Sequence, residues 1–304
     1  MIQSQDRDQK QARAGVLFGL SAYLWWGFAV VYFKAVSHVP PQEVLCHRIM
    51  WSLLLLTVLM SFRKHWPEAR KAFSSMKTTL TLLTTAILIG GNWLVFIYAI
   101  AKDHVVEASL GYYINPLVNV LLGFLFLKER LRPSQRVSVF LAFIGVAFLT
   151  ISYGQFPWIA LFLAVTFAFY GLLRKTAHVE SMAGLTVETA LLMPAAIGYL
   201  IYSSISGDLI FLNHHLSMDL LLMFSGIVTA LPLLWFAHAA RRVSLATVGF
   251  LQYISPSIQL LLGIIIYREP FTTKHLVTFA LIWIALAIYS ADAFDFQRKR
   301  RKKS

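Results

Sequence analysis

Charge is scarce in this 304-residue chain: Asp, Glu, Lys and Arg make up 13% of it, against roughly a quarter in soluble domains. That shortage excludes a water-solvated globule. Cysteine is nearly absent too. Cys46 stands alone inside an apolar run, which excludes an internal disulfide framework and a cysteine metal cluster and reads as a buried, inert thiol. There is no phosphate-binding Gly-rich loop, no zinc-hydrolase motif and no Ser-centred nucleophile elbow. His214-His215 is an adjacent pair without metal-site spacing. The chain is therefore read as a non-enzyme with no cofactor and no metal. Acidic residues are outnumbered 14 to 27 by Lys and Arg, for a net charge of +13. Nucleic acid could attract such a charge, but its placement along the chain gives it another meaning.

What the chain has instead is apolar sequence: 58% of residues, a mean hydropathy of +0.66, and recurring runs of 18 or more residues, the mark of membrane-spanning helices. Ten spans fit, at about 14–36, 42–62, 78–101, 104–127, 134–152, 156–173, 182–203, 218–240, 243–267 and 274–292. At a 1.5 Å rise each covers roughly 27–38 Å, enough for a ~30 Å hydrocarbon layer. The first lacks a small-residue cleavage pattern and is expected to be retained. Basic residues orient the set. With both termini cytoplasmic, 22 of the 27 Lys and Arg fall on that side, and only Lys102, Arg268 and Lys274 on the other. The tail Arg298–Lys303 then reads as an anchor near anionic lipid, and no nucleic-acid partner is expected.

One stretch occurs twice. Tyr113-Ile114-Asn115-Pro116 runs through Gly123 to Lys128-Glu129-Arg130; 140 residues later come Tyr253-Ile254-Ser255-Pro256, Gly263 and Arg268-Glu269-Pro270. Between 113–150 and 253–290, eleven of 38 positions are identical, where apolar composition alone gives roughly three or four. Ala108–Gly111 parallels Ala246–Gly249 across a two-residue gap. The expected organisation is two five-helix repeats, 1–152 and 153–304, the second inverted because five is odd.

These residues resemble the drug/metabolite transporter superfamily and its EamA repeat. Gly90-Gly91-Asn92-Trp93-Leu94, the string Glu107 to Asn119, Phe167 to Leu172 and Phe250 to Ile254 resemble the RarD branch, the chloramphenicol-sensitivity proteins of bacteria. The resemblance implies a multi-pass inner-membrane permease that exports small organic molecules.

Three sets of residues are candidates for that work. Pro116 and Pro256 are expected to break spans four and nine at mid-membrane. Carbonyls freed there need protein or water around them, so a cavity lined by Asn115, Asn119, Gln252, Ser255, Ser257 and Gln259 is one reading and a static kink the other. Aromatics lie near the middles of spans, away from the interfacial belts. Trp26, Asn92, Trp93, Tyr113, Asn115, Tyr170, Gln252 and Tyr253 are the expected solute contacts, with simple bundle packing the alternative. Charges within spans form the third set. Arg48, Glu107 and Glu188 are expected to gate or couple transport, through ion pairs such as Glu107–Arg48 or Glu43–Lys34 or by carrying protons. Gly15-x-x-x-Gly19 is expected to pack within the bundle. The reading is an alternating-access permease with a midplane pocket, its partners a small-molecule solute, lipid and possible protons, acting as a monomer or weak homodimer. A channel-like passive pore or an intramembrane enzyme built on Glu188 and His238 is the alternative.

Overall fold

The computed structural model describes residues 2–63, 65–72, 75–128, 131–154, 156–177, 179–213, 215–240, 242–243 and 251–301. Glu129, Arg130, His214, Arg241, Phe250, the Ala246–Gly249 string, Lys302 and Lys303 lie outside them. Everything regular in the described residues is helical, as lipid demands: with no water to bond free amides and carbonyls, the backbone must satisfy itself within each segment.

The helices are α1 (Ile2–Ala35), α2 (Pro41–Arg63), α3 (Trp66–Ala72), α4 (Met76–Ala101), α5 (Val105–Leu127), α6 (Pro133–Tyr153), α7 (Trp158–Thr176), α8 (Ser181–Ser206), α9 (Leu216–Ala240), α10 (Ile254–Leu261) and α11 (Thr273–Arg301). A wider π turn, Leu262–Ile266, prolongs α10. Eight of these are long and apolar enough to cross a membrane, while α7 and the α10 segment are shorter apolar helices. The short α3 was not expected; it occupies the connection between the second and third predicted spans. Helix ends follow local chemistry. Gly154 and Gly207 close α6 and α8 at φ of 71° and 77°, a left-handed turn that glycine adopts without strain.

The main pairings place α6 on α11, α5 on α7, α4 on α7, α1 and α2 on α9, α2 on α8, α4 on α8, and α10 on both α1 and α5. Exchange α1, α2, α4, α5 and α6, in order, for α7, α8, α9, α10 and α11, and this set of pairings maps onto itself.

Small residues let several of these helices approach closely. Gly15 and Gly19 face Arg242, Val243 and Leu251, so that pair serves packing within the bundle. Gly226 lies against the backbone of Trp51, and Gly111 against Ala160. A Cβ on Gly111 would stand 2.6 Å from the Ala160 carbonyl oxygen, which is main chain and cannot swing aside. Gly111→Ala should therefore force α5 and α7 apart and cost about 1–3 kcal/mol, the range for overpacking a tight contact. A thermal melt of the purified variant in detergent checks this, and an unchanged midpoint would show the interface to be loose.

Candidate functional site

The two copies of the repeated motif meet. Tyr113 and Tyr253 stack with ring centroids 6.3 Å apart and planes 16° from parallel. The Tyr113 hydroxyl lies 2.6 Å from Ser257 Oγ, and Ser109 Oγ donates to the Pro256 carbonyl at 3.1 Å. Phe279 and Trp283 present further faces to Tyr113, at 5.9 and 6.2 Å. Gln252 and Tyr253 form the turn that leads into α10.

The prolines differ from each other, which corrects the expectation of matched breaks. Pro116 sits inside α5, and the helix continues through it to Leu127. Pro256 is in the first turn of α10, where a helix makes no use of the missing N–H. The interruption on that side is the Gln252–Tyr253 turn before the proline.

Asn92 and Asn115 are both buried and both spend their amide on α7. Asn92 Nδ2 donates to the Leu163 carbonyl at 3.0 Å and to Thr166 Oγ1 at 2.9 Å. Asn115 Nδ2 donates to the Ala164 carbonyl at 3.0 Å and its Oδ1 accepts from Asn119 at 3.1 Å. Two successive α7 carbonyls thus take side chains from α4 and α5. Trp26 packs on Phe236 and Tyr23, and its carbonyl accepts from Gln259 Nε2 at 3.3 Å.

The charged groups pair differently from the sequence-based expectation. Lys34 bonds Asp103, not Glu43. Glu43 accepts from the amides of Ile210 and Phe211, at 3.1 and 2.9 Å. Glu107 accepts from the Ile159 amide at 3.1 Å and lies 3.6 Å from His104, so it makes no pair with Arg48. The reason is local: Glu107 reaches a free amide at the start of α7, and Glu43 reaches free amides in the connection between α8 and α9.

Glu188 is fully buried between α4, α7 and α8. Thr85 Oγ1 donates to it at 2.6 Å, the Tyr170 hydroxyl at 3.2 Å, and Arg174 Nε stands 3.5 Å away. Arg174, expected among the solvated basic residues, turns inward to neutralise it. His238, once considered with Glu188, stacks on Phe18 and contacts Arg242. Arg48 is 8% exposed; its guanidinium carbon lies 4.2 Å from the Trp93 ring centroid and 5.5 Å from that of Phe33.

Two features were missed in the sequence. Glu269, noted in the sequence only as part of the repeat's charged ending, is buried and accepts from the amides of Val105 and Val106 at 2.7 and 2.8 Å. Burial raises its carboxyl pKa, and the two N–H donors pull the other way. The repeated Lys/Arg-Glu ending was the available signal. The second is a trio, His65, Glu68 and Glu180, with ligand atoms within 4.8 Å of one another. Donor atoms this close could hold a small cation. A groove of about 490 Å³ between Met76, Lys77, Leu80, Thr81, Thr84 and Leu173 lies far along α4 from Trp93.

With this geometry in view, the comparisons with known proteins are direct. The EamA-like transporter family model matches twice, over residues 13–151 and 157–291. The chain belongs to that family. It is 46% identical to Protein RarD of Salmonella typhi over 96% of this chain and 100% of that one. An uncharacterized transporter of Vibrio cholerae is 47% identical, covering 97% of this chain and 98% of its own. One solved crystal structure, at 19% identity, superposes with a TM-score of 0.59 over 91% of this chain and 96% of its own; that likeness concerns fold only. The protein is an all-α, RarD-type EamA permease, a multi-pass transporter of the bacterial inner membrane.

Glu269→Ala strips the Val105 and Val106 amides of their acceptors in a buried place. Each unpaired group costs about 1–3 kcal/mol, so the variant should melt well below the wild type, with Glu269→Gln, which keeps one acceptor, in between. Identical melting of the Ala variant would mean that the α5 start finds other partners.

Proposed function

We propose that the protein is a secondary transporter that exports a small organic solute by alternating access. In this reading residues 1–152 and 153–304 are inverted halves, both termini are cytoplasmic, and the halves rock about the α5–α10 crossing. The observation that carries it is the set of main helix pairings, which maps onto itself when α1, α2, α4, α5 and α6 are exchanged for α7 to α11. Such an arrangement gives two packings related by symmetry, one open to each side, at similar cost. The double match to the family model supports the same division.

The Tyr113–Tyr253 stack is the proposed solute platform, flanked by Trp26, Gln252 and the aromatic surroundings of Trp93. Asn92 and Asn115 act as positioning residues, because their amides are committed to α7. Glu188, with Tyr170 and Arg174, is the proposed proton-coupling group: protonation would release Arg174 and loosen the joint between α7 and α8.

The test is counterflow of metabolites and antibiotics in proteoliposomes, with and without a proton gradient. At least one solute should show saturable counterflow. Tyr113→Ala with Tyr253→Ala should weaken it about fivefold, as loss of an aromatic contact of ~1 kcal/mol implies. Flux linear in concentration for every solute would favour a passive pore. A Glu188→Gln variant with the same gradient dependence as the wild type would sink the coupling role.

A further inference from the structure

We infer that Arg48 is the anchor for a monoanionic carboxylate on the solute, which makes the cargo a small organic acid with an apolar or aromatic body. The inference rests on the transport reading above and specifies its solute class.

The argument is one of unspent bonding capacity. A guanidinium has two faces and an edge of five N–H donors, and it is never neutral in proteins. In this structure one face lies on the Trp93 ring, and Phe33 lies beside the group. Those contacts use the π attraction for cations and leave the edge untouched. The edge has no carboxylate: among the described residues Arg48 makes no ion pair, and its buried Nε has no acceptor. The carboxylates that might have served are occupied elsewhere, Glu43 on Ile210 and Phe211, Glu107 on Ile159, and Glu188 by Thr85, Tyr170 and Arg174. A second unmet group stands one turn along the same face of α2: the Ser52 hydroxyl is fully buried and also without a partner.

A charge held out of water with its donors idle is costly in any protein and more so within a bilayer. Intramembrane cations of this kind mark substrate pathways. The shape of the donor set chooses the ligand. A planar fork of N–H donors matches a planar carboxylate in bidentate fashion. A single positive charge neutralises a monoanion and leaves half of a phosphate dianion unpaired. The neighbouring side chains are aromatic, with Phe96 against both Phe33 and Tyr112, so the remainder of the ligand meets rings and not polar groups.

The decisive measurement is equilibrium binding to the purified full-length protein in lipid nanodiscs. The probes are phenylacetate and 4-phenylbutyrate, each beside its own amide, and chloride and inorganic phosphate as free anions. At least one acid should bind saturably, at least about tenfold tighter than its amide, the loss expected when a charged hydrogen-bond pair is removed. Arg48→Gln should erase that difference, and Arg48→Lys should keep part of it. If either variant fails to fold, as judged by gel filtration, the acid-to-amide ratio of the wild type decides alone. Equal affinity for acid and amide overturns the inference, as does saturable binding of the inorganic anions only, or of none of the acids. Proteoliposome flux of the same probes separates this result from the transport reading. Amide flux without acid flux leaves a permease and removes the Arg48 role. Acid binding with no protein-dependent flux of any probe keeps the Arg48 role and removes transport.

Discussion

Inside a bilayer a polar group without a partner has no water to fall back on, and the structure is arranged around that constraint. Several buried polar side chains join one helix to another, while others bond back to their own helix. Glu43, Glu107 and Glu269 each reach the free amides of a different chain segment. Asn92 and Asn115 take carbonyls of α7. An anion at a helix start also meets the positive end of the helix dipole, so one carboxylate answers both the unmet N–H groups and its own charge. Hydrophobic burial cannot select between helices when lipid is as apolar as the core; these bonds and the close glycine contacts do the selecting.

Much of the architecture was legible because lipid imposes strong rules on sequence. Apolar runs of helix length marked out the long helices, and the duplicated Tyr-x-x-Pro segment singled out Tyr113 and Tyr253, whose rings stack. The side-chain chemistry was less legible. Arg48 and Glu107 were natural partners by charge and depth, yet Glu107 took the amide of Ile159. Sequence shows which groups need partners, but a helix start offers backbone donors that no residue letter records. The prolines misled for a related reason. Pro116 and Pro256 align in the repeat, but one lies within a continuous helix and the other in a first turn, because the chain before Ile254 had already broken at Gln252 and Tyr253.

Two different joints follow from these bonds. Along the middle of α7 the contacts are neutral amides and a glycine seam, geometry that tolerates little sliding. Between α7 and α8 the joint is ionic, with Glu188 held by Arg174 and two hydroxyls, and its strength depends on charge state. In the proposed transport cycle the first kind would keep parts rigid and the second would respond to charge.

The π turn at Leu262–Ile266 acts as a register gauge. One residue more or fewer in a helix rotates everything beyond it by about 100°, and the wide turn absorbs such a residue between α10 and the loop that carries Glu269. Tightening it to an ordinary α turn would wind Glu269 away from Val105 and Val106 and uncouple the end of one motif-bearing helix from the start of the other. The length of this stretch, more than the identity of its apolar residues, therefore sets where Glu269 meets the start of α5.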